Sequence, residues 1–211
     1  MSDGTADRRL LRGARSRLAI TRRAAEIASV DGLDGVSFGR LADDLGISKA
    51  GIQTLFRTKE QLQLATIETA RAVFLDEVVT PARDLPPGLA HLRALIENWL
   101  GYAERPVFPG GCFWTATLAE FDSHPGPVRD ALVHRRDQWL TLLRHHLEKA
   151  TAAGELDDTD PELAAVQLDS MLNATNIALR LDDRTSVRLL RRGVDELLRP
   201  APRQTRPHHG L

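Results

Sequence analysis

The stretch Ser37–Gln61, SFGRLADDLGISKAGIQTLFRTKEQ, decides the fold. Phe38, Leu41, Ala42 and Leu45 stand at i, i+3, i+4 and i+7, the spacing of one face of a short helix, and Ser37 precedes them as an N-cap. Gly46 suits a left-handed helix end, Ile47 turns inward, and Ser48 offers a second N-cap. Ile52, Leu55 and Phe56 then form the inner face of a second helix, which leaves Lys49, Ala50, Gly51, Gln53 and Thr54 on its outer face. Thr58-Lys59-Glu60-Gln61 fits a capping box and opens a third helix. Two short helices across a tight glycine turn predict a helix-turn-helix over residues 38–57, whose second helix enters the DNA major groove. Its outer face needs small or hydrogen-bonding side chains. Lys49 can donate to guanine or to phosphate, Gln53 can pair with adenine, and Thr54 can reach either a base or a phosphate. Ala50 and Gly51 let the backbone come close. Lys59, beside a helix N-terminus, suits a phosphate contact.

Charge is distributed to match. The 211 residues carry a formal net charge of −1, which alone argues against a wholesale polyanion binder. Yet seven arginines (8, 9, 12, 15, 17, 22 and 23) fall in a run without an acid, and residues 1–60 net +3 against −4 for the remainder. A basic end on an otherwise acidic chain is the footprint of local DNA contact. Hydrophobic content of 42% and charged content of 27% are ordinary for a globular protein. The single cysteine, Cys112, excludes an intramolecular disulfide and a cysteine-based zinc cluster. No apolar leader follows Met1 and no run of about 18 apolar residues occurs, so the expectation is a cytoplasmic protein without a membrane span.

From Ile20 to Leu62 the chain resembles the DNA-binding domain of the TetR family of bacterial transcription regulators. The matching landmarks are Ile20, Ala24, Gly32, Ser37, Leu41-Ala42, Gly46-Ile47-Ser48-Lys49, Phe56 and Lys59-Glu60-Gln61-Leu62, in order and without a gap. Two positions depart from the family pattern: Ala28 stands where an aromatic residue is usual, and Gln53-Thr54-Leu55-Phe56 replaces Tyr-x-x-Phe. The resemblance implies DNA contacts from Thr21, Arg22, Ser37, Ser48, Lys49, Ala50, Gly51, Gln53, Thr54 and Lys59. It also implies a homodimer, a palindromic double-stranded operator and a small-molecule effector.

Helical patterning continues to the end of the chain. Residues 1–15 read as a basic mobile arm and 16–61 as the DNA-binding domain, with its first helix over 16–30. Residues 62–199 read as a ligand-binding and dimerisation domain, and 200–211 as a disordered tail. Further helices are expected over 59–80, 89–104, 112–122, 127–153, 161–181 and 185–199, separated by breakers such as Pro86-Pro87-Gly88, Pro109-Gly110-Gly111 and Pro125-Gly126-Pro127. The predicted fold is therefore all-α, about nine helices, with a three-helix N-terminal part and a helical C-terminal part.

Phe74, Trp99, Tyr102, Cys112, Phe113, Trp114, Phe121, Trp139 and Asn173 are the candidate lining of an effector cavity, although any single aromatic residue taken alone reads better as core. Helix 8 has apolar residues on more than one face, so Met171, Leu179, Leu190, Val194 and Leu198 are the candidate dimer contacts. Cys112, at a helix start, is either a buried small hydrophobe or a redox-active thiol. No catalytic residue, metal site or cofactor is expected. The sequence predicts a repressor released from its operator by a small apolar ligand. The alternatives are a DNA-binding regulator controlled by Cys112 oxidation or a protein partner, and a helical enzyme with a vestigial helix-turn-helix.

Overall fold

The structure is a computed structural model that describes residues 3–105, 107–156 and 159–200, with only the backbone described for 3–12. Nine α-helices occur among the described residues: α1 (Asp3–Asp31), α2 (Phe38–Leu45), α3 (Lys49–Phe56), α4 (Lys59–Phe74), α5 (Leu89–Glu104), α6 (Phe113–Phe121), α7 (Pro127–Ala152), α8 (Pro161–Arg180) and α9 (Arg184–Leu197). The all-α expectation is met; an isolated bridge joins Leu156 and Pro200.

Local chemistry sets most of the boundaries. Ser37, Ser48 and Thr58 each take an extended backbone and accept an amide three residues on, from Arg40, Gly51 and Gln61. Gly46 ends α2 in the left-handed conformation at φ 63°, where a Cβ is disfavoured. Asp160 accepts the amides of Glu162 and Leu163, and Pro161 takes the first helical position of α8, where its missing N–H costs nothing.

Two segments differ from expectation. The stretch expected to be an arm is helical from Asp3 and continuous with α1. The pattern before Ser16 lacked an apolar stripe, so periodicity did not reveal this part of the helix. The long helix expected to reach Thr80 stops at Phe74 and passes into one π turn over Leu75–Val79 and a 3₁₀ turn over Thr80–Ala82. The wider turn leaves backbone carbonyls without their usual partners. The Asn98 side chain donates to one of them, Val78 O, at 3.0 Å. The tail expected over 200–211 lies, beyond Pro200, outside the described residues.

The chain forms two compact units. One takes the chain through Pro81 together with Asn98–Gln138; the other takes Ala82–Glu97 and the chain from Trp139. In the first, α1 packs on α2, α4 and α6, and α3 packs on α2 and α4. Its core includes Ile20, Ala24, Ile27, Leu41, Ile52, Phe56 and Leu62. In the second, α8 packs on α9, with Leu168, Leu172, Val187 and Val194 buried alongside Leu92, Leu95, Leu143 and Leu147.

Candidate nucleic-acid interface

The geometry of α3 follows from two anchors. Ile52 and Phe56 are fully buried, which fixes the rotation of an eight-residue helix. That rotation presents Lys49, Ala50, Gly51, Gln53 and Thr54, all exposed. Thr54 Oγ1 donates to Ala50 O at 2.9 Å, which holds its side chain against its own helix and leaves its oxygen as an acceptor. The far end of α3 is fastened by Arg17, whose guanidinium lies 4.5 Å over the Phe56 ring and donates to Leu55 O at 3.0 Å. A cation on the C-terminal carbonyls complements the helix dipole. The outer face is thus rigid, polar and made of side chains suited to base edges.

The turn between α1 and α2 is the second organised feature. The Glu120 carboxylate, on α6, accepts the amides of Leu33 at 2.6 Å and Asp34 at 2.7 Å. Gly32 allows this approach: it sits at φ +74°, and a Cβ there would lie 2.5 Å from Glu120 Oε2. Lys59 Nζ donates to Asp34 O at 2.9 Å and pairs with its carboxylate at 3.2 Å. Gln63 donates to Leu33 O at 3.2 Å. One turn therefore joins α1, α2, the start of α4 and α6. Lys59 remains exposed at the helix N-terminus as expected, but its ammonium already has a carboxylate partner.

Thr21 and Arg22 sit elsewhere than the resemblance implied. Thr21 is only 2% exposed; its hydroxyl donates within α1 and receives a hydrogen bond from Thr69 at 2.7 Å. Arg22 is half-buried, donates to Val107 O at 2.8 Å and stacks 4.7 Å over the Phe108 ring. Close packing at the next turn makes this possible: Gly110 N donates to Ser29 Oγ, and a Cβ on Gly110 would collide with Ser29 O. Arg22 fastens α1 to the 107–121 segment, and Thr21 joins it to Thr69 of α4. Sequence spacing alone could not show this, because the partner carbonyl is 85 residues away.

Of the expected effector lining, Phe74, Tyr102, Phe113 and Trp114 form an edge-to-face cluster with Phe108, at ring separations of 5.2–6.4 Å. Trp99 and Cys112 are also buried, Cys112 as the residue before α6. Burial holds the Tyr102 hydroxyl well above its usual pKa, with the neighbouring Cys112 adding to the effect. These side chains are the aromatic core of the first unit, while Trp139 and Asn173 belong to the second. A different cleft of about 250 Å³ opens between α6 and the first half of α7, walled by Leu118, Phe121, Leu132 and Val133 with Asp122, Arg129 and Arg136. Of these residues only Phe121 was a sequence candidate for a cavity lining. Their signal was the apolar second face of the Phe113–Phe121 segment.

The expected dimer contacts divide in a similar way. Leu179, Val194 and Leu198 are buried inside their own unit, and Met171 packs near Gly193, whose added Cβ would lie 3.4 Å from its sulfur. Leu190 is half-buried. The exposed apolar side chains on these helices are instead Leu163, Val166, Ile177, Leu181 and Leu189. Among the described residues no cluster of three metal-ligating side chains occurs, and no helix is long and apolar enough to cross a membrane.

A helix-turn-helix on a bundle of this kind defines a DNA-binding regulator class, and comparison places the chain within it. Residues 88–194, about half the chain, match the family model described as the tetracyclin repressor-like C-terminal domain. The chain belongs to the TetR family of transcriptional regulators. No curated protein matches it. Among solved structures it is similar to a TetR regulator from Chloroflexus aurantiacus, at 24% identity and TM-score 0.74, covering 89% of this chain and 94% of that one. AibR, solved with isovaleryl coenzyme A and operator DNA, matches at 22% identity and TM-score 0.72, covering 87% and 99%. A Saccharomonospora viridis regulator in complex with choline matches at 18% identity and TM-score 0.76, covering 90% and 100%.

Proposed function

We propose that this protein is a homodimeric repressor that reads a palindromic operator through α3 and leaves it when a small, largely apolar ligand binds. The observation that carries the DNA reading is the outer face of α3: Lys49, Ala50, Gly51, Gln53 and Thr54 exposed together on a helix anchored by buried Ile52 and Phe56. Lys49 and Gln53 supply the donors and acceptors that distinguish base pairs. Ser37 and Ser48 cap α2 and α3 and set the entry angle of the motif. Lys59 offers a phosphate contact once its Asp34 partner is shared. Ligand control is supported by the structural neighbours solved with isovaleryl coenzyme A and with choline. Those two ligands are chemically unlike, so neither is carried over.

Homodimerisation is supported by the outer face of α8. Leu163, Val166 and Ile177, with Leu181 just beyond the helix, recur at near-helical spacing, and Ile177 and Leu181 are 53% and 73% exposed. A row of that kind marks an interaction surface, and a two-fold dimer matches a palindromic operator in symmetry. Oxidation control is the weaker alternative, because Cys112 is 2% exposed and poorly accessible to peroxide.

The test uses operator fragments selected by the purified protein from random duplexes. Lys49→Ala and Gln53→Ala should each weaken operator binding by about 1–3 kcal/mol with unchanged circular dichroism. Gln53→Ala with unaltered affinity and base preference would show that α3 does not read the operator.

A further inference from the structure

α6 is a helix with two working faces. Glu120 stands on one side, where it holds the amides of Leu33 and Asp34. Phe113 and Thr117 are buried along that same side. Leu118 and Asp122, each two residues from Glu120, stand roughly opposite it and Phe121 about 100° round from it by the helix's 3.6-residue turn, and together they form one wall of the cleft. α7 supplies the other wall, with Leu132 and Val133 apolar and Arg129 and Arg136 cationic. Arg129 Nε donates to Asp122 O at 2.9 Å, so its guanidinium is tethered across the end of α6.

We propose that this α6–α7 cleft is the effector site, that its ligand is a small amphipathic carboxylate, and that Glu120 transmits occupancy to the DNA-reading helices. The inference rests on reading the chain as a ligand-responsive DNA-binding regulator.

Size and chemistry specify the ligand. A cavity of about 150 Å³ accommodates benzene, so a cleft of about 250 Å³ suits roughly ten non-hydrogen atoms. Four apolar side chains match an aliphatic or aromatic body. Two arginines against one aspartate match a single negative charge, and guanidinium pairs with carboxylate in a fixed planar geometry. A cation of the same size meets two like charges.

Transmission follows from the arrangement of partners. A ligand that seats between α6 and α7 displaces the wall that carries Leu118 and Phe121. The same short helix bears Glu120, opposite Leu118 and next to Phe121, and its carboxylate is bonded to the α1–α2 turn. That turn also holds Lys59 and Gln63 at the start of α4, and α3 packs between α2 and α4. The ligand needs only a differential affinity for the displaced arrangement to lower operator occupancy.

The experiment uses full-length protein on its selected operator, with octanoate, which has ten non-hydrogen atoms, as probe and octylamine and octanol as charge controls. The readouts are calorimetry for binding and the ratio of operator affinities without and with probe. Octanoate should bind once per protomer and give a ratio of about ten or more, while both controls give a ratio near one. Arg129→Gln, and independently Val133→Glu on the exposed rim, should abolish octanoate binding. Glu120→Gln should still bind octanoate yet lose most of the ratio, and the Leu33 and Asp34 amides should exchange faster with solvent in that variant. Operator binding with no octanoate binding at about 10 mM overturns the cleft. An equal effect of octylamine overturns the anion preference, and a full ratio in Glu120→Gln overturns the transmission. Failure to retain any operator fragment overturns the underlying regulator reading instead.

Discussion

α3 and α8 show two ways of using a helix with two faces. α3 is one-sided: Ile52 and Phe56 are buried with Leu55 half-buried beside them, and the exposed residues are small or polar. α8 is apolar on both sides: Leu168, Leu172 and Leu179 are buried in its own unit, while Leu163, Val166 and Ile177 are exposed. A polar outer face is stable in water and waits for a polyanion. An apolar outer face is costly in water and calls for a permanent partner. The contrast teaches that the outer face, not the inner one, distinguishes a recognition helix from an assembly helix.

The contrast breaks most visibly at α8. Replacing Ile177 and Leu181 with glutamate puts two charges on each copy of the outer face, where each lost apolar side chain is worth about 1.5–3 kcal/mol of burial. Across a two-fold axis four side chains are affected, so about 6 kcal/mol or more of association should vanish. Sedimentation should then report monomers, with circular dichroism preserved because neither residue is in the unit's core. A dimer of undiminished stability would move the interface off this face.

At α3 the inner face is the sensitive one. Phe56→Ala removes a fully buried ring and should cost about 3–5 kcal/mol of stability. Denaturant unfolding followed by the α3 amides reads this directly. Loss of operator affinity without loss of stability would mean that Phe56 acts through DNA contact rather than packing.

Acid should sharpen the difference between the units that carry the two helices. In the α8 unit, His91 and His146 stack face to face at 3.9 Å, and His145 lies edge-on to His146 at 5.2 Å. His91 Nδ1–H donates to Leu85 O at 3.0 Å, whereas the buried Nδ1 of His146 has no hydrogen-bond partner. Burial, then the neighbouring His91 and His145, lowers the His146 pKa from 6.5 to about 4. The folded value lies below the unfolded one, so this imidazole favours folding when neutral. Its contribution is complete above pH 6.5 and is lost as pH falls from 6.5 toward 4, a span worth roughly 3 kcal/mol. Thermal melts should show the α8 unit weakening over that window, and His146→Phe should flatten the dependence. An unchanged pH profile in that variant would assign the acid sensitivity to other groups.

The helix-turn-helix was legible because its determinants are local. Ser37, Gly46, Ser48 and Thr58 act within three or four residues of themselves, and the 3.6-residue period of Leu41, Ile52 and Phe56 chooses the inner face without reference to the rest of the chain. α8 was harder. Its two apolar faces were visible, but which one meets its own unit depends on α9, and Val194 and Leu198 proved to belong inside. The outer row of Leu163, Val166 and Ile177 was present in the pattern and acquired its meaning only when the inner row was filled.

The sequence by itself determined the all-α class, the position of the recognition helix, the side chains it exposes and the family it belongs to. Caps, turns and periodicity are short-range, and the chain carries them wherever it goes. Only the tertiary structure decided that Arg22 serves Val107, that Glu120 holds the α1–α2 turn, that the aromatic residues of α5 and α6 pack on one another, and that a cleft opens on the far side of α6. The first two join residues more than eighty positions apart, and the other two depend on how separate helices stack. No spacing rule links them, because the distance between them is set by how helices stack and not by the residues that lie between.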